Sequence, residues 1–249
     1  MILVALLLSS IILSQEYPIL GSNDTFDIMT WNIENYPKNN STNSILENII
    51  SQINVDIIAL QEIESQSSFE DLVSMLGTNW IGLKSQNTGY GELAYLINTD
   101  EISLIDDYNI LSNYQYFFAY REPYVIEILH NESKYIIINN HFKCCGNGDL
   151  DFDDSSDEEY RRMRSSQLIF DFVIDNHESE KVIILGDLND EITDPDENNV
   201  FLDFINSDLF TFADNQIAFG NPNNWSFPNW PSHLDHIIIS NELFENFES

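Results

Sequence analysis

The stretch Val182-Ile183-Ile184-Leu185 runs straight into Gly186-Asp187-Leu188-Asn189-Asp190, so an apolar strand delivers polar side chains to one place. Side chains alternate along an extended chain, which puts Asp187 and Asn189 on one side and turns Leu188 away. A carboxylate and an amide so placed can hold a water, the first taking its proton and the second fixing its direction. The habit recurs along the chain. Asn32 and Glu34 follow the apolar run 26–31, and Gln61-Glu62 follows 57–60. Tyr90 and Glu92 stand ahead of 93–97, and Arg121 stands ahead of 124–129. Asn140-His141 follows 135–138, and Asp235-His236 lies within 234–239. Taken singly, each has a bland account: a turn, a solvated edge, a satisfied structural histidine, or an ion pair of Arg121 with Glu122 or Glu127. Polar groups at so many strand mouths need a shared reason, and a metal–phosphate site supplies one. Magnesium takes hard oxygen ligands and often only one or two carboxylates, keeping waters for the rest. Glu62 suits that role.

The elements that must position these residues read as strands mixed with helices. In 44–53 the set Ile45, Leu46, Ile49, Ile50 and Ile53 marks one helix face. A second helix, 68–76, stops at Gly77, and a third, 157–176, opens with Ser156-x-x-Glu159 read as a capping box. No repeat or Pro/Gly/Ser linker divides the chain, so one α/β or α+β domain with buried sheets is expected.

Composition bounds the partners. The 249 residues carry 9 Lys+Arg against 42 Asp+Glu, a formal net charge of −33 at pH 7. Nucleic acid is bound largely through Lys and Arg contacts to phosphate, so this surface repels it unless salt or divalent cations screen the charge. The apolar stretch 2–13 is shorter than the about 20 residues a membrane span needs and reads as the core of a secretory signal, with 1–22 as signal and spacer. Stable membrane insertion is not expected. The only cysteines are adjacent, Cys144-Cys145, which excludes a disulfide framework and leaves two free thiols or a strained vicinal disulfide.

The ordered motifs WNIE, LQEIE, GYGE, REP, NNHFK, GDLND and LDH resemble those of the endonuclease/exonuclease/phosphatase superfamily, the fold of pancreatic deoxyribonuclease. The resemblance covers most of the chain. It implies a four-layer sandwich, two packed mixed β-sheets flanked by helices. It also implies that Asn32 and Glu62 hold a divalent metal and that Tyr90 and Arg121 contact the scissile phosphate. Glu92 and His141 resemble a carboxylate–histidine pair whose histidine does acid–base work. Asp187 and Asn189 match the residues that activate and orient the nucleophile, and Asp235 matches an aspartate that orients a histidine near the C-terminus. One departure stands out: the terminal Ser-Asp-His motif is absent, and His236 alternates to the wrong face to replace it. Residues 23–249 are therefore expected to form a C-terminally incomplete domain of a longer enzyme.

The expected activity is divalent-metal-dependent phosphodiester hydrolysis by a monomeric, secreted or periplasmic nuclease-like enzyme. Mg2+ is the expected cofactor, with Mn2+ or Ca2+ as alternatives. Nucleic acid comes first as substrate and a lipid headgroup second. A phosphatase of the same fold and a non-catalytic binding module stay open, because fold alone does not decide function. Three other features have bland readings. Asp149–Asp154 lacks the glycine and glutamate of a calcium loop. Arg161, Arg162 and Arg164 suit helical ion pairs. Trp225, Phe227 and Trp230 suit packing at a sheet edge.

Overall fold

The computed structural model describes residues 16–86, 92–227 and 231–247. Ten strands form two mixed sheets. The first contains β1 (Ile28–Tyr36), β2 (Ile57–Ile63), β3 (Trp80–Lys84) and β4 (Ala94–Asn98), in the order β1-β2-β4-β3. The second contains β5 (Ile102–Asn109), β6 (Tyr124–His130), β7 (Ser133–His141), β8 (Lys181–Asp187), β9 (Phe210–Phe212) and β10 (Asp235–Ser240), in the order β5-β6-β7-β8-β10-β9. Two pairs are parallel, β1 with β2 and β7 with β8; the rest are antiparallel.

Period-two alternation builds the layers. Ile57 and Ala59 face a core shared between the sheets with Ile137, Ile183 and Leu185. Their neighbours Ile58 and Leu60 face outward onto α1 (Thr42–Ile53) and α2 (Gln66–Leu76) through Leu46, Ile50, Phe69 and Leu72. On the other side Ile136, Ile138, Val182 and Ile184 pack on Leu168, Ile169 and Val173 of α3 (Glu158–His177). The order is helices, sheet, sheet, helix, the four-layer sandwich expected. Two single turns, α4 (Leu202–Ile205) and α5 (Asn215–Ala218), complete the helices. Among the described residues no helix is long and apolar enough to cross a membrane.

Polar bonds through the middle set how one sheet lies on the other. Gln61 Nε2 donates to Asn139 Oδ1 at 2.7 Å, and Asn139 Nδ2 donates to the carbonyls of Leu60 (3.0 Å) and Ala94 (3.1 Å). Tyr95 Oη reaches the carbonyls of Tyr124 (2.9 Å) and Ile137 (3.0 Å). Buried polar groups cost stability unless they are bonded, so these contacts favour one register between the sheets.

Some local readings change. The first turn of α3 is capped by Asp157, whose side chain accepts from Tyr160 N at 2.7 Å, and not by a Ser156–Glu159 box. Glu159 turns inward instead, accepting from Gly148 N at 2.6 Å and pairing with Arg162 at 3.2 Å. Arg161 and Arg164 donate to Tyr116 O and Gln167 Oε1, so among the described residues Arg162 alone of the three makes a helical ion pair. At the sheet edge Trp225 is half-buried and donates to Ile217 O, while Phe227 is exposed, not packed. Trp230 lies outside the described residues, as do 1–15 of the expected signal.

Candidate active site

Parallel pairing in both sheets brings four strand C-termini to one rim of the sandwich. Asn32 pairs in register with Gln61, next to Glu62, and His141 pairs with Asp187. Antiparallel β10 brings Asp235 opposite the same Asp187. Across the rim, Asn32 Nδ2 donates to Glu62 Oε1 at 3.1 Å and to Asp187 Oδ2 at 2.9 Å. His141 Nε2 lies 3.8 Å from Asp187 Oδ2. Residues far apart in sequence thus meet at Asp187.

Backbone strain marks the same rim. Glu62 has φ 65° and Asn189 φ 55°, left-handed values rare outside glycine. For Asn189 this alters the route by which it reaches the site. Strand β8 ends at Asp187, so Asn189 is placed by a tight turn and not by strand alternation. Its N–H donates to Asp187 Oδ1 at 3.1 Å and its Nδ2 to Phe142 O at 3.2 Å. Gly186, at φ 139°, makes the approach possible, because a Cβ there would lie 2.0 Å from Asn140 O.

Arg121 reaches the rim from before β6. Its Nε donates to His141 O at 2.9 Å and Nη2 to Phe142 O at 2.5 Å. The guanidinium is held by the backbone beside His141, and its Nη1 end makes no hydrogen bond among the described residues. Burial and the adjacent Asp235 push the Asp187 carboxyl up to about 7, against hydrogen bonds from Asn32 and Asn189 N–H. Burial also raises Asp235, whose Oδ1 is buried and has no hydrogen-bond partner among the described residues.

Glu92 ion-pairs with Lys84 Nζ, and His141 stands beside Asp187. Tyr90 lies outside the described residues. Sequence reading placed Gln61 at a strand mouth without giving it a role and passed over Asn139; together they fix the sheets beneath the site. Their only signal was a polar side chain inside an apolar run.

Glu62 and Asn32 supply the hard oxygen donors a divalent cation requires. Three carboxylates, Glu62, Asp187 and Asp235, gather with Arg121 as their nearby cation, and an orphaned carboxylate oxygen lies among them. The donor set fits such an ion. A tighter His/Asp group lies behind the rim, where Asp214 Oδ2 meets His233 Nε2 (2.9 Å) and His236 Nδ1 (2.7 Å). Ser226 N–H donates to His233 Nδ1, leaving its proton on Nε2, facing Asp214. His236 Nε2 faces Asp190 O at 2.8 Å, so both its ring nitrogens face acceptors and both carry protons. That group is a hydrogen-bonded ion pair. It needs no metal, and it turns His236 away from Asp187 as alternation requires.

The sequence pattern of the Endonuclease/Exonuclease/phosphatase family matches residues 29–248. No curated protein matches the chain by sequence. Among solved structures, D. rerio TDP2 complexed with single strand DNA product aligns with TM-score 0.65 at 13% identity, covering 86% of this chain and 83% of that one. The human Nocturnin catalytic domain with bound sulfate anion aligns with TM-score 0.57 at 20% identity, over 79% and 73% of the two chains. A mannosyl-6-phosphatase from Bacteroides thetaiotaomicron aligns with TM-score 0.60 at 13% identity, over 87% and 86%. At these identities the likeness is one of fold, and it agrees with the sheets described above. With that pattern matched over residues 29–248, the chain belongs to the Endonuclease/Exonuclease/phosphatase family.

Proposed function

We propose that the protein hydrolyses phosphodiester bonds with the help of a divalent cation, as a nuclease-like enzyme. The observation that carries this reading is the meeting of Asn32, His141 and Asn189 on the carboxylate of Asp187, with Asn32 linking it to Glu62. In this reading Asp187 accepts the proton of the attacking water. Asn189 holds the turn around that carboxylate through its N–H, and its amide supplies the direction. His141, 3.8 Å from Asp187, and the Nη1 end of Arg121 face the charge that develops on the phosphate. Asn32 and Glu62 hold the cation, Mg2+ first and Mn2+ or Ca2+ as alternatives. Once bound, that cation polarises the phosphate and stabilises the leaving oxygen.

The DNA product in the TDP2 structure supports a nucleic-acid substrate. The surface favours a second reading, since 9 basic against 42 acidic residues repel a polyanion and suit a small or lipid-borne phosphoester. The apolar N-terminal stretch supports delivery to a secreted or periplasmic location, and the reading is of a monomer. A substrate panel tests the proposal: bis-(p-nitrophenyl) phosphate, p-nitrophenyl phosphate, plasmid DNA and sphingomyelin, each with magnesium or EDTA. Magnesium-dependent cleavage of diesters ahead of the monoester is expected. Monoester preference moves the protein to the phosphatases, and cleavage of nothing while magnesium still binds makes it a binding module.

A further inference from the structure

The thiols of Cys144 and Cys145 are the only two in the chain, both are exposed, and both are free. Neighbouring side chains on an extended backbone point to opposite faces. Here they do not: Cys145 takes a left-handed φ of 71°, which swings its Sγ to within 3.0 Å of Cys144 Sγ. Backbone on either side is clamped. Arg162 Nη1 donates to Lys143 O at 2.8 Å and to Cys145 O at 2.7 Å, bracketing the Cys144–Cys145 peptide. The same guanidinium, buried, holds Asp190 Oδ2 at 2.7 Å and Glu159 Oε1 at 3.2 Å. Gly146 follows at φ 112°, so close to Glu159 that a Cβ would lie 2.2 Å from its Oε1. The segment is pinned onto α3 with its two thiols turned outward and together.

We propose that Cys144 and Cys145 are a reversible redox modification site, closing to a vicinal disulfide that slows the hydrolytic site. The oxidant is a low-molecular-weight disulfide such as oxidised glutathione. One cysteine thiolate attacks it, forming a mixed disulfide and releasing one glutathione thiolate. The second cysteine then attacks the protein sulfur, expelling the other glutathione. Two protein thiols lose two electrons and two protons, and one glutathione disulfide becomes two thiols. Adjacent Cα atoms sit about 3.8 Å apart across a trans peptide, short of the roughly 4.4–6.8 Å that ordinary disulfides span. The closed ring is therefore strained, and strained, exposed disulfides are the ones readily reduced again. This makes the pair a switch and not a staple.

Coupling to the rim runs through one residue. Phe142, two positions before Cys144, donates its N–H to Asp187 O at 2.9 Å. Its carbonyl accepts from Arg121 Nη2 at 2.5 Å and Asn189 Nδ2 at 3.2 Å. Ring closure re-sets the peptide that Arg162 brackets, and the strain passes to Phe142 and from there to Arg121 and Asn189. The functional half of this proposal rests on the hydrolase reading above; the thiol half does not.

The full chain is treated with oxidised glutathione and followed by intact mass, thiol titration and magnesium-dependent hydrolysis of bis-(p-nitrophenyl) phosphate. The expected product is monomeric, lighter by two hydrogens, with no titratable thiol. Its hydrolysis is slower by about 10- to 100-fold, the scale of an ångström-sized misplacement, and dithiothreitol restores it. Cys144→Ser and Cys145→Ser keep the basal rate and lose the response. Stable glutathione adducts, crosslinked chains or persistent thiols overturn the modification site. A closed disulfide with an unchanged rate overturns the coupling. A chain inactive in both redox states overturns the hydrolase reading and the coupling with it, while the mass still reports on the thiols.

Discussion

Asp187 carries the chemistry proposed here because its surroundings hold it between two protonation states. Burial and Asp235 push its carboxyl up to about 7, so the basic form gains population as pH rises through neutrality. Asp235→Asn removes the neighbouring charge, and the acid limb of the pH–rate profile should move to lower pH; an unmoved limb would show that Asp235 does not act on Asp187. Behind the rim, the His236–Asp214 pair has its own pH signature. Burial opposes the charge on His236, but Asp214 and the Asp190 carbonyl override it and raise His236 above its ordinary 6.5. This stabilisation is complete below 6.5 and is lost as pH rises through the raised value. Burial likewise opposes the charge on Asp214, yet His233 and His236 hold its carboxyl below its ordinary 3.8, so its contribution is present above 3.8 and lost in acid. His236→Ala strands a buried carboxylate and should cost about 3–5 kcal/mol, measured by urea unfolding at pH 6. A loss under about 1 kcal/mol, the worth of an exposed pair, would contradict the imidazolium assignment.

At the scale of elements, alternation made much legible and handedness hid the rest. In Val182–Leu185 and Ile136–Ile138 each side chain faces the layer its parity demands, so these strands and their polar ends could be read directly. Strand β5, ISLIDDYN, escaped because it is a largely exposed sheet edge with little apolar patterning. Strand β9 is only three residues long. The turn of Asn189 escaped because a left-handed residue leaves no trace in hydropathy. Asp214 escaped because β9–β10 pairing brings it to His236 from outside any motif. Gly186 tests how tightly β8 is held. Gly186→Ala meets both a left-handed φ and the Asn140 carbonyl, each worth about 1–3 kcal/mol, so a clear fall in Tm is expected, and an unchanged Tm would mean that β7 yields freely. Asn139→Ala takes from the Gln61 amide its 2.7 Å partner and from the Leu60 and Ala94 carbonyls their side-chain donor, and should cost about 1–3 kcal/mol, read by denaturant midpoint.

Across the whole molecule, the family and the four layers were legible in the order of the motifs, while the substrate was not, because the fold serves many phosphoesters. The formal net charge of −33 makes cations partners of the folded chain, and a specific site separates from general screening by mutation. Magnesium should raise the Tm of the wild type beyond what an equal ionic strength of NaCl does, and Glu62→Gln should abolish that difference. Initial rates of bis-(p-nitrophenyl) phosphate hydrolysis for wild type and Asp187→Asn, with magnesium and with EDTA, decide whether Asp187 activates the water of a metal-dependent hydrolysis. The prediction is magnesium-dependent turnover by the wild type and a loss of at least about 10²-fold in the variant, with its Tm close to wild type. Equal rates for the two proteins, or wild-type turnover undiminished by EDTA, would contradict it.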